Sequence, residues 1–585
     1  MYADFETHGF QHDPDGYVYL VCWHIDGVDK HSYIQQEGWH RFAEDLLRCG
    51  EITAHNARFE LAWLVRDGVL SQQELARIKV YDTMLAEWVL AGEKPLDLDS
   101  VAVRYGIRGK HKLPSLLIKR GQQIETIPYL LEYCYQDVHM MMPVRRAQEK
   151  LLDELGMMHI AEQRFAVCPV LVDLASRPQL LDKALVAEKY QETYNSMHAI
   201  DAVLDKYETN LNSGTQLATL LYDTLGFEVP LIKGKPAMTA GGKRSTSEGT
   251  ISLLQATTPE QQEFLDLYFK RNKLSSLLSK YLNYFYACDG KLWGDIVQGN
   301  TATHRLASNG RKVKVGKKKL GCQIQNIPRE LKQLITAPEG WAVVEADYAQ
   351  LEFVGAADMC NDAMAKHDII HGKKEDGTDP HSNTARILTE NGQPSSRQEA
   401  KSSTFSPLYG GFGKTKAEKK YVEYFKNRYT AIAAEQASWA VDVVASPRKE
   451  FVTKYGMRFR YPNADISSSG YIKGSTQIYN YPIQGFSTGE VVPIALRLVW
   501  ERLIGVGWCY ISSTVHDSIV LVCRIDKLDE LNKILEEEML AGTIEYLRSK
   551  YHYTFTTPLT IEIKSGDHWG EDQYGKHEAT LVGQS

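Results

Sequence analysis

An apolar run that ends in one acid constrains this chain more than any other stretch. In WAVVEADYAQLEF, a Val- and Ala-rich strand pattern opens at Trp341, ends at Asp347 and passes into helix-compatible residues, which puts the carboxylate at the end of a buried strand. In WCYISSTVHDSIVLVC, two β-rich runs flank His516 and Asp517, the pattern of a tight hairpin whose turn presents a carboxylate. Acids in turns are ordinary, and neither segment means much alone. RQEAKSSTFSPLY adds a complement: Arg397, Lys401, Phe405 and Tyr409 stand at four-residue steps and would form one stripe on a continuous helix. Two cations followed by two rings over about 18 Å suit a triphosphate, then a sugar and base. A packing stripe is the alternative, although core stripes seldom begin with Arg and Lys. Pro407 lacks an N–H and crowds the carbonyl of Ser403, so a kink is expected there.

Paired carboxylates facing fixed cations meet the electrostatic needs of phosphoryl transfer. Asp347 and Asp517 are the expected bridging ligands of two divalent ions about 3.5 to 4 Å apart, and the carbonyl of Tyr348 is expected to complete one shell.

These segments resemble the family A DNA polymerases, the bacterial polymerase I type and its bacteriophage relatives. DYAQLEFV from Asp347 is similar to the family's first catalytic segment, and His516, Asp517 and Ser518 are similar to its His-Asp-Glu. Arg397, Lys401, Phe405, Tyr409 and Gly410 match its nucleotide-binding helix, where Lys401 is also implied to act in catalysis. The match extends to THRLAS, similar to Thr-Gly-Arg-Leu-Ser-Ser, with Arg305 at the primer end, and to QIQNIP from Gln323. It also covers DPHSNTA, with His381 near the triphosphate, and NYPIQG, with Asn480 and Gln484 facing base pair and template. Gln350 and Glu352 are implied at the nucleotide, and His516 at DNA. Glu352 with Tyr409 is expected to exclude a ribose 2′-hydroxyl, and Phe405 to discriminate against dideoxynucleotides. Ser518 and Val354 depart from the family's Glu and Arg, so catalysis is expected to rest on Asp347 and Asp517 alone.

A second acid set opens the chain. Asp4 and Glu6 share a face of a strand, and Tyr133 and Asp137 share a face if helical. With Asn56 and Glu60 in AHNARFELAWL, the set resembles the 3′-to-5′ proofreading exonucleases, with Tyr133 orienting the attacking water. Asp4, Glu6 and Asp137 are then metal ligands, and Glu60 stands where the family has Asp. Asp82 is either a further member or a structural acid. An α/β domain with surface acids is the alternative for the whole set.

The resemblance implies a multidomain α/β chain: a ribonuclease H-like exonuclease domain over residues 1–150, a helical connection over 151–190, a thumb over 191–300 and a palm over 301–585 with fingers inserted near 360–430. It also implies primer–template DNA and dNTPs as partners, other replication proteins beside them, and two Mg²⁺ per site with Mn²⁺ as substitute. The FSPLYG and HDS variants look bacteriophage-like, which implies a monomer working in host cytoplasm. A net charge of −7 gives no global attraction to DNA, so binding is expected to use local patches. These are the run 311–319, for which a solvated loop is the alternative, and the thumb cations Lys243, Arg244, Lys270, Arg271 and Lys273. The nine cysteines show no paired spacing and suggest neither a zinc site nor a disulfide framework. No leader or membrane span is expected, and a start three residues before Asp4 is expected to exclude a 5′-nuclease domain. Two other readings stay open: a nuclease whose carboxy-terminal part only holds DNA, and a non-catalytic scaffold.

Overall fold

Two five-stranded sheets carry the acids singled out above. In the first, Tyr2–His8 is the middle strand, antiparallel to Tyr17–Ile25 on one side and parallel to Glu51–Ala54 on the other. Val28–Tyr33 and Lys79–Asp82 complete the edges. The hairpin from Ile25 to Val28 closes through Asp26 and Gly27, both at positive φ, the Asp-Gly turn that matches strand twist. In the second, Trp341–Tyr348 lies between Ser518–Arg524 and Leu559–Gly566, with Cys509–Val515 and Gly575–Leu581 outermost, all antiparallel. This computed structural model describes all residues except 14, 93–94, 110–111, 233, 311–312, 316–317, 374, 469 and 582–585, and no side chain of 313–315 or 318–319. The cations of the 311–319 run therefore lie outside what is described; the backbone of Val313–Val315 pairs with that of Lys318–Leu320.

The chain forms two compact units, one of residues 1–179, 293–310 and 323–585, the other of 180–292 and 311–322. Residue 150 falls inside the helix Leu130–Glu154, and residue 190 inside Lys183–Leu204. In the larger unit the helix Met158–Ala175 is buried almost throughout, and it shares one apolar core with Val344, Phe353 and Trp500. Arg164 on that helix forms a fully buried ion pair with Glu490, which also accepts a hydrogen bond from Tyr551 at 2.6 Å. Breaking such a pair on one side leaves an uncompensated buried charge. The helices Ala363–His371, Pro380–Glu390, Arg397–Thr404 and Lys416–Arg428 follow the strand that ends in Asp347.

The smaller unit packs Lys183–Leu204 and Pro259–Leu277 around Leu221 and Phe264. Two of its expected DNA contacts are committed internally. Arg271 is largely buried and bonds Asp201 at 2.9 Å and Asn212 at 3.0 Å, and Arg244 forms a two-pronged pair with Asp223 while lying over the Tyr222 ring. Their spacing in sequence resembled a basic patch, but opposite charge from neighbouring helices claims them. Lys243, Lys270 and Lys273 are exposed.

Candidate active site

Strand register builds the first cluster. Asp347 stands opposite Ser518 on one neighbouring strand and Glu562 on the other, so all three side chains share a face of the sheet. The turn that precedes Ser518 carries Asp517, whose carbonyl accepts from the Tyr348 N–H at 3.3 Å. His516 takes φ 59°, which lets a two-residue turn close and brings Asp517 alongside Asp347. The two carboxyls are in hydrogen-bonding relation. Although one face of Asp347 meets water in the cleft, protein surrounds the rest. That desolvation, then the negative charges of Asp517 and Glu345, push its carboxyl up to about 8. Burial also raises Asp517. Two acids this close cannot both ionise without a proton or a cation between them, so the donor set fits a hard divalent ion.

A cleft of about 720 Å³ opens over this pair, and it is lined by Asp347, Tyr348, Gln350, His381, Arg397, Lys401, Phe405 and Asp517. The basic segment is not one helix. A capping box from Ser396 and Glu399 starts it, but it stops at Thr404, with Phe405 as its C-cap and Pro407–Tyr409 as a separate 3-10 turn. The kink expected at Ser403 is thus a full break, because Pro407 offers no N–H to continue the ladder. Gly410 then takes φ 74°, where a Cβ would meet Thr476 and Tyr479 at about 3 Å. Arg397 is held by Asp379 at 3.0 Å, and the Phe405 ring packs between Phe353 and His381. His381 is itself fixed to Thr404 at 3.0 Å.

Beside the cleft, Gln484 accepts from Thr303 at 2.8 Å and faces Glu352 at 3.4 Å, while Arg305 contacts His516. Burial raises the Glu352 carboxyl. Asn480 Oδ1 and Gln350 Oε1 are buried without a hydrogen-bond partner. The position before Arg305, glycine in the THRLAS-like pattern, is His304 at φ 61°; its ring stacks on Trp88 at 4.0 Å. Sequence reading missed Glu345, Glu562, Lys332 and Lys564, which line the cleft: Glu345 lies two residues before Asp347 on the same strand, the helix Arg329–Lys332 brings in Lys332, and the neighbouring strand Leu559–Gly566 carries Glu562 and Lys564. Ser518 is buried, and its hydroxyl bonds Val515 O at 2.9 Å, locking the hairpin.

The second cluster sits on the first sheet. Ligand atoms of Asp4, Glu6 and Cys134 lie within 4.8 Å of one another, and Cys134 is flanked on its helix by Tyr133 and, one turn on, Asp137. Glu60 is buried with Oε2 unpartnered, and desolvation, then the charge of Asp4, raises its carboxyl far above the usual range. An orphaned, buried carboxylate oxygen beside other acids fits a cation there. Asp82 is a structural acid: it accepts from the N–H groups of Asn56, Ala57, Met84 and Leu85 at 2.8 to 3.2 Å, and burial raises it to about 6. Cys134 was not foreseen; nothing but its place inside YCYQD marks it.

Residues 183–571, more than half of the chain, match the family model described as DNA polymerase family A. The chain belongs to that family. The thermostable DNA polymerase I of Thermus filiformis is 26% identical over 427 residues, covering 69% of this chain and 47% of its own. DNA polymerase I of Pseudomonas aeruginosa is 25% identical over 522 residues, covering 84% and 54%. The chain thus spans about half the length of these family A relatives. In fold it is similar to the POL domain of Pol1 from M. smegmatis, a structure in complex with DNA primer-template and dNTP, with a TM-score of 0.76 at 18% identity over 97% of this chain and 95% of that one. Among the described residues, no helix is long and apolar enough to cross a membrane.

Proposed function

We propose that the chain is a template-directed DNA polymerase that adds deoxynucleotides to a primer 3′ end, with a 3′-to-5′ exonuclease in its amino-terminal sheet. One observation carries the first part: the Asp347–Asp517 pair shares a cleft with Arg397 and Lys401. Asp347, Asp517 and the carbonyl of Tyr348 would hold the divalent ions, generally Mg²⁺ in this family. When bound, such ions lower the pKa of an attacking hydroxyl and offset charge on the departing phosphate oxygens. Arg397 and Lys401 neutralise the triphosphate, and Phe405 packs against the sugar and base. Arg305 holds the primer end, and Asn480 and Gln484 contact the base pair, where polar groups tolerate any sequence. Glu352 with Tyr409 excludes a ribose 2′-hydroxyl. Residues 180–292 with 311–322 serve as thumb, and the helices between residues 360 and 430 as fingers that swing closed on the correct nucleotide.

The exonuclease reading is supported by the mixed sheet, antiparallel on one side of Tyr2–His8 and parallel on the other, and by the convergence of Asp4, Glu6 and Glu60 near the helix that bears Tyr133 and Asp137. Tyr133 positions the attacking water. The phage-type segments favour a monomer acting in host cytoplasm. Primer extension with one template and four dNTPs tests both activities: the wild type extends the primer, and Asp517→Asn only shortens it. Binding without extension or shortening in the wild type overturns the proposal.

A further inference from the structure

On the outer hairpin of the first sheet, His24 stands directly opposite Asp29 across the ladder, so both side chains share a face, and the helix Leu130–Glu154 brings His139 onto it. His24 Nδ1 is 2.7 Å from Asp29 Oδ1, and His139 Nε2 is 2.9 Å from each Asp29 oxygen. All three ligand atoms lie within 4.8 Å of one another. The imidazoles meet at 81° rather than stacking, and each presents a ring nitrogen to the Asp29 carboxylate. A second layer holds His139 in place. Tyr135, one turn earlier, stacks on it at 6.1 Å, and the Tyr135 hydroxyl bonds His31 Nδ1 at 2.9 Å.

We propose that His24, Asp29 and His139 form a zinc-type site, separate from the acids of the exonuclease reading, that clamps the hairpin to the helix carrying Tyr133 and Asp137. Two imidazole nitrogens and one carboxylate oxygen suit Zn²⁺ or its transition-metal neighbours, whereas Mg²⁺ and Ca²⁺ require oxygen. Zinc bonds of about 2.0 to 2.1 Å in a tetrahedron set donors about 3.3 Å apart, so the two histidine–Asp29 spacings need to open by only about half an ångström. The metal replaces the ring protons that Asp29 otherwise accepts. His139 is 50% and Asp29 40% exposed, which leaves the fourth position to water. No local pattern hinted at this site, because His139 stands 110 residues from Asp29 in sequence.

Metal-stripped full-length protein is titrated with ZnCl₂ in millimolar Mg²⁺, which occupies oxygen-only clusters, and followed by calorimetry and thermal melting. Wild type and Asp4→Ala should each bind one Zn²⁺ more than His139→Ala does, with a Tm rise of roughly 2 °C or more at hundredfold excess over Kd. His139→Ala, a half-exposed and tolerant position, should lose both the stoichiometric zinc and the shift. Equal zinc uptake by wild type and His139→Ala overturns the proposal, as does a zinc response that Asp4→Ala abolishes. A wild type whose Tm ignores zinc overturns it equally.

Discussion

The two acid clusters use opposite means to assemble carboxylates. Around Asp347 and Asp517 the acids come from neighbouring strands in fixed register and open onto a cleft that also holds five cationic side chains, Arg329, Lys332, Arg397, Lys401 and Lys564. Around Asp4 the acids come from a strand and two helices, and Glu60 is almost wholly buried with one carboxylate oxygen unpartnered. An open cleft with cations admits a polyanion such as a triphosphate. Buried acids with an orphaned oxygen instead suit a phosphodiester brought in with its own metal ions.

The largest expected effect separates the clusters outright. Asp517→Asn should lower primer extension by about a thousandfold, the scale of losing one charge-stabilising group, while release of mononucleotides from single-stranded DNA stays within about twofold. Parallel loss of both activities would break the comparison. Next is Glu60→Asp: shortening a buried side chain by one methylene should change exonuclease turnover by about tenfold in either direction and leave extension untouched, as measured on labelled single strands. The third prediction concerns pH. Asp347 and Glu60 are raised above the ordinary carboxylate range, so the metal-free folded state binds more protons than the unfolded one. Stability in EDTA should therefore fall as pH rises from the ordinary 3.8 of Asp347 toward about 8, with no further loss from that group above it, and Mg²⁺ should flatten the trend in a melting series. A metal-independent profile would count against both sites. Smallest is Ser518→Ala, which removes one hairpin hydrogen bond: about 1 kcal/mol in denaturant unfolding, with extension changed less than about threefold. A larger catalytic loss would give Ser518 a direct role in the reaction.

Much of the cleft was legible in the chain. The apolar run from Trp341 located Asp347 at a strand end, and the His516–Asp517 turn read directly as a hairpin, because both signals are local. Four-residue spacing overran beyond Lys401, since the helix expected to kink near Ser403 ends outright at Thr404. Glu562 was invisible because cross-strand register, which no local pattern fixes, brings it beside Asp347. The Arg271 ion pair was invisible for a related reason: its partner Asp201 lies 70 residues away. Asp82 could be read either way until its four backbone donors were seen to occupy it.

The Arg164–Glu490 pair bears on how this chain can be shortened. Discarding everything before the smaller unit would remove Arg164 and strand a negative charge deep among aromatic side chains. A chain trimmed that way should aggregate rather than fold, whereas point substitution of the amino-terminal acids leaves the strut in place.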